Sequence, residues 1–164
     1  MTINSIMAFG ALAFVLSASM ATADPVHKQD TAHHEKEGMA MDGPTQVLRG
    51  YGEAIANKNL VEMGKYVAAG GDEFTIFEGS GANTGWEDYR DHHLAPEFAN
   101  LDLTFHRYEY KNIKTHSEGN MAFSTFSIEM DYTYKGENKK RTRRGTAIFE
   151  RQNGKWKIIH LQTS

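Results

Sequence analysis

The sequence predicts an α+β domain in which three N-terminal helices pack on a strongly curved, mostly antiparallel sheet. Apolar residues recur at helical spacing before residue 100, whereas four later runs are extended and rich in aromatic and β-branched residues. Short turns separate these four runs, so consecutive strands are expected to pair antiparallel. The region 44–164 is long enough to bury one hydrophobic core, and it is predicted to form the only folded domain.

Three segments carry the helical pattern. The first begins at Pro44, which suits the first turn of a helix. Asn59 can cap a short second helix, and Thr84 with Glu87 has the spacing of a capping box for a third helix that Pro96 ends or kinks. The apolar stripe of the first helix consists of Val47, Leu48, Tyr51, Ala54 and Ile55.

The sheet is predicted from five extended segments. A short first strand is expected at 73–78, and Asn153-Gly154 is typical of a tight hairpin turn between the last two strands. The four longer runs are 101–116, 121–134, 139–152 and 155–164.

The final strand has apolar residues on both faces. Alternation places Trp156, Ile158, His160 and Gln162 on one face, and Ile159 with Leu161 on the other. Because the helices can cover only one face, the other is expected to pair with a second copy in a homodimer.

The N-terminus is interpreted as a secretory signal peptide over 1–23. The apolar run 6–20 is too short to span a bilayer, and Ala21-Thr22-Ala23 has the small-x-small pattern that precedes cleavage. An uncleaved transmembrane anchor is the alternative, because the first five residues contain no Lys or Arg. The protein is therefore predicted to be periplasmic or secreted, with no membrane span after the leader is removed.

Residues 24–43 are predicted to form a flexible tail, because they are polar and show no apolar period. Imidazole and thioether groups in this tail suit copper or zinc outside the cytoplasm, although their spacing fits no fixed motif. The candidate metal ligands are His27, His33, His34, Met39 and Met41. No other cofactor is predicted.

Composition and motifs exclude several kinds of chemistry. The chain has no cysteine, so it has no disulfide, thiol nucleophile or Cys-type zinc site. Its net charge of -3 gives no reason to expect binding to nucleic acid, and it contains no phosphate-binding glycine loop. Gly79-Ser80-Gly81 lacks the spacing of a nucleophile turn. The basic run 139–144 is interpreted as a solvated hairpin, with an inward Arg143 or Arg144 holding an anionic ligand as the alternative.

The order of elements and two segments carry a family resemblance. GWEDYRDHHLAPEF at 85–98 and GKWKIIHLQTS at 154–164 resemble the SnoaL-like branch of the nuclear transport factor 2-like superfamily. The resemblance implies a cone-shaped, usually dimeric fold enclosing one pocket, in a family of isomerases, dehydratases, polyketide cyclases, binding modules and exported proteins of unknown role. The family's closing strand often reads W-x-I-x-H-x-H-x-S, and Gln162 replaces its second histidine here.

The predicted third helix contributes most of the candidate site. Trp86, Tyr89 and His93 lie along one side and His92 lies on an adjacent side, so either histidine could face inward. With His160, such a pocket would hold imidazoles and a phenol, which can transfer protons or bind a ligand. The alternative is that His93 is a hydrogen-bonded core residue. The candidate ligand-binding residues are Trp86, Tyr89, His92, His93, Trp156, His160 and Gln162.

Acidic residues could assist these groups. Glu73 and Glu78 have opposite parity in the first strand, so only one of them can face the pocket, whereas Glu129 and Asp131 are expected on the solvent face.

Three functional hypotheses follow from these predictions. The first is an exported module that binds a small organic molecule in a hydrophobic-aromatic pocket. The second is an acid–base enzyme in which His93 or His160 moves a proton and Tyr89 stabilises developing charge. The third is periplasmic copper or zinc handling through the tail.

Overall fold

The computed structural model describes residues 43–164. The predicted signal peptide, nearly all of the predicted tail and every candidate metal ligand in that tail lie outside the described residues. The helix predicted to begin at Pro44 is present, and Asn59 caps the second helix, since its Oδ1 accepts a hydrogen bond from the Glu62 amide at 3.0 Å. The helical segments are α1 (Pro44–Ala56), α2 (Leu60–Met63), α3 (Trp86–Tyr89), a π-helical turn (Arg90–Leu94) and α4 (Ala95–Ala99).

Six strands form one curved sheet in the order β2-β1-β6-β5-β4-β3. Neighbouring strands are antiparallel except β1 and β6, which are parallel. The prediction of an α+β fold with a mostly antiparallel sheet is therefore confirmed. The strands are β1 (Thr75–Glu78), β2 (Gly81–Thr84), β3 (Leu103–Glu118), β4 (Met121–Tyr134), β5 (Glu137–Gln152) and β6 (Lys155–Thr163).

The core lies between α1 and one face of the sheet, which we call the concave face. Every second residue of the first part of β4 is buried on the concave face. The side chains between them, such as Thr125, lie on the opposite face, which we call the convex face. Asn153 and Gly154 both have positive φ, at 50° and 80°, as a two-residue hairpin turn between β5 and β6 requires. The buried residues of β4 are Ala122, Ser124, Phe126, Ile128 and Met130.

A β-bulge in β6 changes the predicted face of two candidate site residues. Ile158 pairs with Phe149 and His160 pairs with Ile148, so Ile159 is an extra residue without a partner. The alternation of side chains between the two faces therefore reverses at Ile159. Trp156 and Ile158 lie on the concave face before the bulge, and Leu161 lies on the concave face after it. The prediction that His160 and Gln162 share a face with Trp156 is therefore wrong, because both lie on the convex face.

The predicted capping box before the third helix is also wrong. Thr84 ends β2 and pairs with Thr75 of β1, in a hairpin that was not predicted. Gly85 precedes the helix instead, with φ at 88° and its amide bonded to the Phe74 carbonyl at 2.7 Å. A glycine tolerates this positive φ, which lets the chain turn directly from strand into helix.

No helix within residues 43–164 has the length and apolar character needed to cross a membrane.

Candidate functional site

A cavity of about 450 Å³ opens between the concave face and the helical segment 86–99. Its volume falls within the range of small-molecule pockets, roughly 300–1,000 Å³. Polar groups come from β1, β5 and the helical segment, while β3 and β4 supply mostly aromatic and aliphatic walls. The apolar and aromatic lining residues are Ile55, Tyr89, Leu94, Phe98, Leu103, Phe105, Tyr108, Met130, Tyr132 and Tyr134.

The helical segment presents His93, and not His92, to the cavity. Pro96 has no amide hydrogen to donate to the carbonyl four residues earlier, and the chain forms the wider turn immediately before it. The His93 ring lies 5.0 Å from the Tyr89 ring and lines the cavity. His92 points to solvent with 78% of its side chain exposed and pairs with Asp88 at 3.0 Å.

Glu78 is the most connected polar group of the cavity. Its Oε2 accepts a hydrogen bond from the Tyr89 hydroxyl at 2.9 Å and lies 3.5 Å from His93 Nε2. Its Oε1 lies 3.5 Å from the Thr163 hydroxyl, a weak contact, and 3.7 Å from Arg143 Nη1. Only 19% of the Glu78 side chain is exposed, so the carboxylate is held among fixed partners with one side open to the cavity.

A second carboxylate faces the same imidazole. Glu97 Oε2 lies 3.7 Å from His93 Nε2, so this ring nitrogen lies near both carboxylates. Burial raises the pKa of Glu97, and the nearby His93 opposes that rise. The His93 Nε2 atom therefore lies within 4 Å of both carboxylates, at distances longer than those of hydrogen bonds.

Tyr89 is held in its protonated form. Burial, followed by the nearby Tyr51 and Glu78, raises the pKa of Tyr89 well above its usual value. The phenol is consequently a permanent hydrogen-bond donor near neutral pH, directed at Glu78.

A family model of the SnoaL-like domain matches residues 45–164. This chain belongs to the SnoaL-like family. A search of the curated proteins found no significant match for the SnoaL-like chain.

Solved structures of nuclear transport factor 2-like proteins share the fold. One from Salmonella enterica has a TM-score of 0.63 and 18% identity, covering 73% of this chain and 86% of its own. A putative ketosteroid isomerase from Shewanella frigidimarina has a TM-score of 0.62 and 25% identity, covering 76% of this chain and 98% of its own. A protein of unknown function from Pseudomonas putida has a TM-score of 0.61 and 17% identity, covering 73% and 81%.

The SnoaL-like cavity brings together only Tyr89 and His93 of the candidate site residues. Trp86 is buried behind Tyr89, against Phe74, and Trp156 is buried beneath the Arg151 guanidinium. The other three, His92, His160 and Gln162, do not line this cavity.

Of the four acidic and arginine residues that line the SnoaL-like cavity, two were left as alternatives by sequence reasoning and two, Arg141 and Glu97, were not proposed for the site. Strand parity left Glu78 and Glu73 as alternatives, and Glu78 is the inward one. Arg143 lines the cavity, in agreement with the alternative that it faces inward. Arg141 lies two residues earlier on the same face of the strand and also lines the cavity. Glu97 could have been found from its i, i+4 spacing to His93.

Glu129 and Asp131 behave as expected for the solvent face. Arg107 contacts Glu129 at 3.0 Å and Asp131 at 3.2 Å. Within the SnoaL-like region 43–164, no group of three or more His, Asp or Glu side chains is arranged to hold a metal ion.

His160 gives the SnoaL-like domain an expected pH dependence. Burial lowers the pKa of His160, whose Nδ1 lies 2.7 Å from the Thr75 hydroxyl. The unfolded chain therefore binds a proton more readily, and stability should fall as the pH drops from about 7 to about 5. His160→Gln should make the urea midpoint less sensitive to acid over this range. His106→Gln, which changes an exposed histidine, should keep the wild-type acid sensitivity, and an unchanged slope in His160→Gln would contradict the prediction.

Proposed function

We propose that this domain binds a small, largely apolar organic molecule in the cavity. The observation that carries the proposal is the combination of aromatic walls with a few converging polar groups at Glu78, His93 and Arg143. Such a lining removes apolar ligand surface from water and fixes the ligand's orientation through the polar groups. Aromatic side chains such as Tyr132 add edge and stacking contacts to a ring-containing ligand.

Binding is tested with uncharged ring compounds of graded size, for example cyclohexenone, 2-naphthol and a steroid ketone. We expect at least one to raise the melting temperature in proportion to its concentration and to titrate by calorimetry. Tyr132→Ala should weaken that ligand about tenfold, because it removes one aromatic wall.

The matched control is Thr125→Ala on the convex face of the same strand. It should leave the affinity unchanged, since Thr125 lies outside the cavity lining. Equal losses in the two variants would show that the ligand does not occupy the cavity, and no binding by the series would reject the proposal for uncharged ring compounds.

A second candidate function is proton transfer on the bound molecule, favoured by the Tyr89–Glu78–His93 contacts. A carboxylate can remove a proton next to a carbonyl group, and an adjacent imidazole can return one. One structural neighbour is described as a putative ketosteroid isomerase, and ketosteroid isomerisation is a proton transfer of this type. The assay is conversion of a β,γ-unsaturated ketone to the conjugated ketone, followed by ultraviolet absorbance.

We further propose that two copies pair through the convex face, as the sequence predicts. The convex face exposes Phe77, Met121 and Phe123, with exposed fractions of 44%, 44% and 45%. The His160 ring packs edge-on against Phe77 at 5.1 Å, and His116 stacks on Phe123 at 5.0 Å. Pairing would remove this apolar surface from water.

Sedimentation equilibrium tests the pairing. Phe123→Glu should raise the dimer dissociation constant at least about tenfold, because it buries an unpaired charge. Val61→Glu makes the same change at a residue that is 80% exposed outside the sheet, and it should leave the dimer intact. A wild-type protein that sediments as a monomer would contradict the proposal.

Export and metal handling by the tail stay predictions from the sequence, because they depend on residues outside the described range.

A further inference from the structure

We propose that the cavity selects ligands carrying an anionic group, a carboxylate or a similar oxyanion, and that Arg141 and Arg143 bind this group. The inference rests on the proposed binding function and names the chemical class of the ligand. It also assigns a role to two residues of the basic run in β5 that the proton-transfer contacts do not require.

Strand geometry places the two arginine side chains on the same face. Arg141 and Arg143 are two residues apart in β5, opposite Met130 and Ile128, and both line the cavity. Side chains two residues apart share a face and are separated by roughly 7 Å at their origin. Arg144, the next residue, lies on the convex face, so the cavity receives alternate members of the run.

The two guanidinium groups keep most of their donors available. Arg143 Nη1 lies 3.7 Å from Glu78 Oε1, which is too long for a hydrogen bond. In the part of the chain that the structure describes, Arg141 has no carboxylate within 4.0 Å. A planar guanidinium offers five donors in a fork that matches a carboxylate, so two such groups facing a cavity form a ready anion site.

Two lysines lie at one end of the cavity. Lys135 and Lys139 lie over the Tyr134 ring, at 5.4 and 5.6 Å from its centroid, and Tyr134 lines the cavity. Lys139 is also paired with Glu137 at 3.3 Å, so Lys135 contributes most of this charge. The chain as a whole carries a net charge of -3, so the positive charge is a local property of this end. Local fields of this kind attract anions and hold them against low-dielectric walls.

The acidic residues do not cancel this preference. Glu78 is already engaged by the Tyr89 hydroxyl and lies beside His93, and Glu97 lies on the other side of the same imidazole. Their negative charge is thus concentrated around His93. Arg141 precedes Arg143 by two residues in β5. Of these two arginines, only Arg143 is within 4.0 Å of Glu78. Arg141 is therefore the arginine of the pair that has no carboxylate of the described residues within 4.0 Å, and Arg143 offers the donors that Glu78 does not engage.

The experiment compares 2-naphthoate with 2-naphthamide, which have nearly the same shape and differ in charge. Calorimetric titration of the wild-type protein should show 2-naphthoate binding about tenfold more tightly or better, with a preference that declines as salt is added. In Arg141→Gln the preference should fall several-fold, and in Arg141→Gln/Arg143→Gln the two ligands should bind equally.

Arg144→Gln is the matched control, since it removes the same charge from the same strand on the opposite face. It should retain the wild-type preference. Arg141→Lys should keep part of the preference, because it preserves the charge and loses the fork geometry.

Two results would overturn the inference. Equal binding of the acid and the amide by the wild-type protein, or an equal loss of preference in Arg144→Gln and the double variant, would reject anion selection while the proposed binding function stands. Failure of both naphthalene compounds and of the uncharged ring series would reject the binding function and this inference together.

Discussion

Replacing Gly145 with alanine is expected to destabilise the domain by about 3 kcal/mol. A Cβ at this position would lie 2.3 Å from the backbone carbonyl oxygen of Gln162 and 2.6 Å from the Phe126 ring. The first contact is with backbone in the neighbouring strand, so it cannot be relieved by rotating a side chain. The variant must either separate β5 from β6 or displace the ring from the core.

Urea denaturation measures this loss, and the fluorescence of the buried Trp86 and Trp156 reports the unfolding. The control is Gly81→Ala in β2, where the Cβ would lie 3.3 Å from the Glu78 carbonyl oxygen and the backbone is exposed. The control should lose less than about 1 kcal/mol. A Gly145→Ala protein as stable as the control would show that β5 and β6 do not approach each other this closely.

Replacing Glu78 with glutamine is expected to reduce ketone isomerisation by about 10²–10⁴-fold. Glutamine keeps the size of the side chain and can still contact Tyr89, but it cannot accept a proton from the substrate. Affinity for the uncharged ketone should change little, because the aromatic walls remain. The loss should therefore appear in kcat and not in the dissociation constant.

Glu73→Gln is the matched control for this experiment. Glu73 belongs to the same segment, and its exposed carboxylate accepts a hydrogen bond from Gln152 at 3.1 Å, outside the cavity. The control should keep the wild-type rate. A Glu78→Gln protein that also keeps the rate would exclude Glu78 as the base. A wild-type protein that binds the ketone without converting it would reject the enzyme hypothesis and support the binding function.

Much of the fold could be predicted because it depends on local pattern. Helical spacing gives α1, the Asn59 cap begins α2, and the extended runs with Asn153-Gly154 between the last two give the long strands. The short hairpin β1–β2 could not be predicted, because Gly81–Thr84 has no apolar alternation and is held by pairing with β1. Its existence depends on tertiary context.

The candidate site was harder to predict because it depends on small departures from regular geometry. Alternation placed Glu78 and Arg143 among the alternatives, but it could not choose between Glu78 and Glu73 without the position of the helix that covers them. Helical spacing placed His93 on the side of Tyr89, but it left His92 as an alternative until the cavity showed which ring lines it. His160 was misplaced because a bulge reverses every later residue of the strand.

The extra residue Ile159 has an evolutionary consequence for this domain. Deletion of its single codon would restore simple alternation and keep the later side chains where they are, with His160 on the convex face and Leu161 in the core. A strand of the same length without the bulge would instead pair Ile159 with Ile148 and His160 with Ala147, which places His160 on the core side. An ungapped alignment of this strand with a regular strand of a relative would therefore equate a histidine outside one protein with a histidine inside the other.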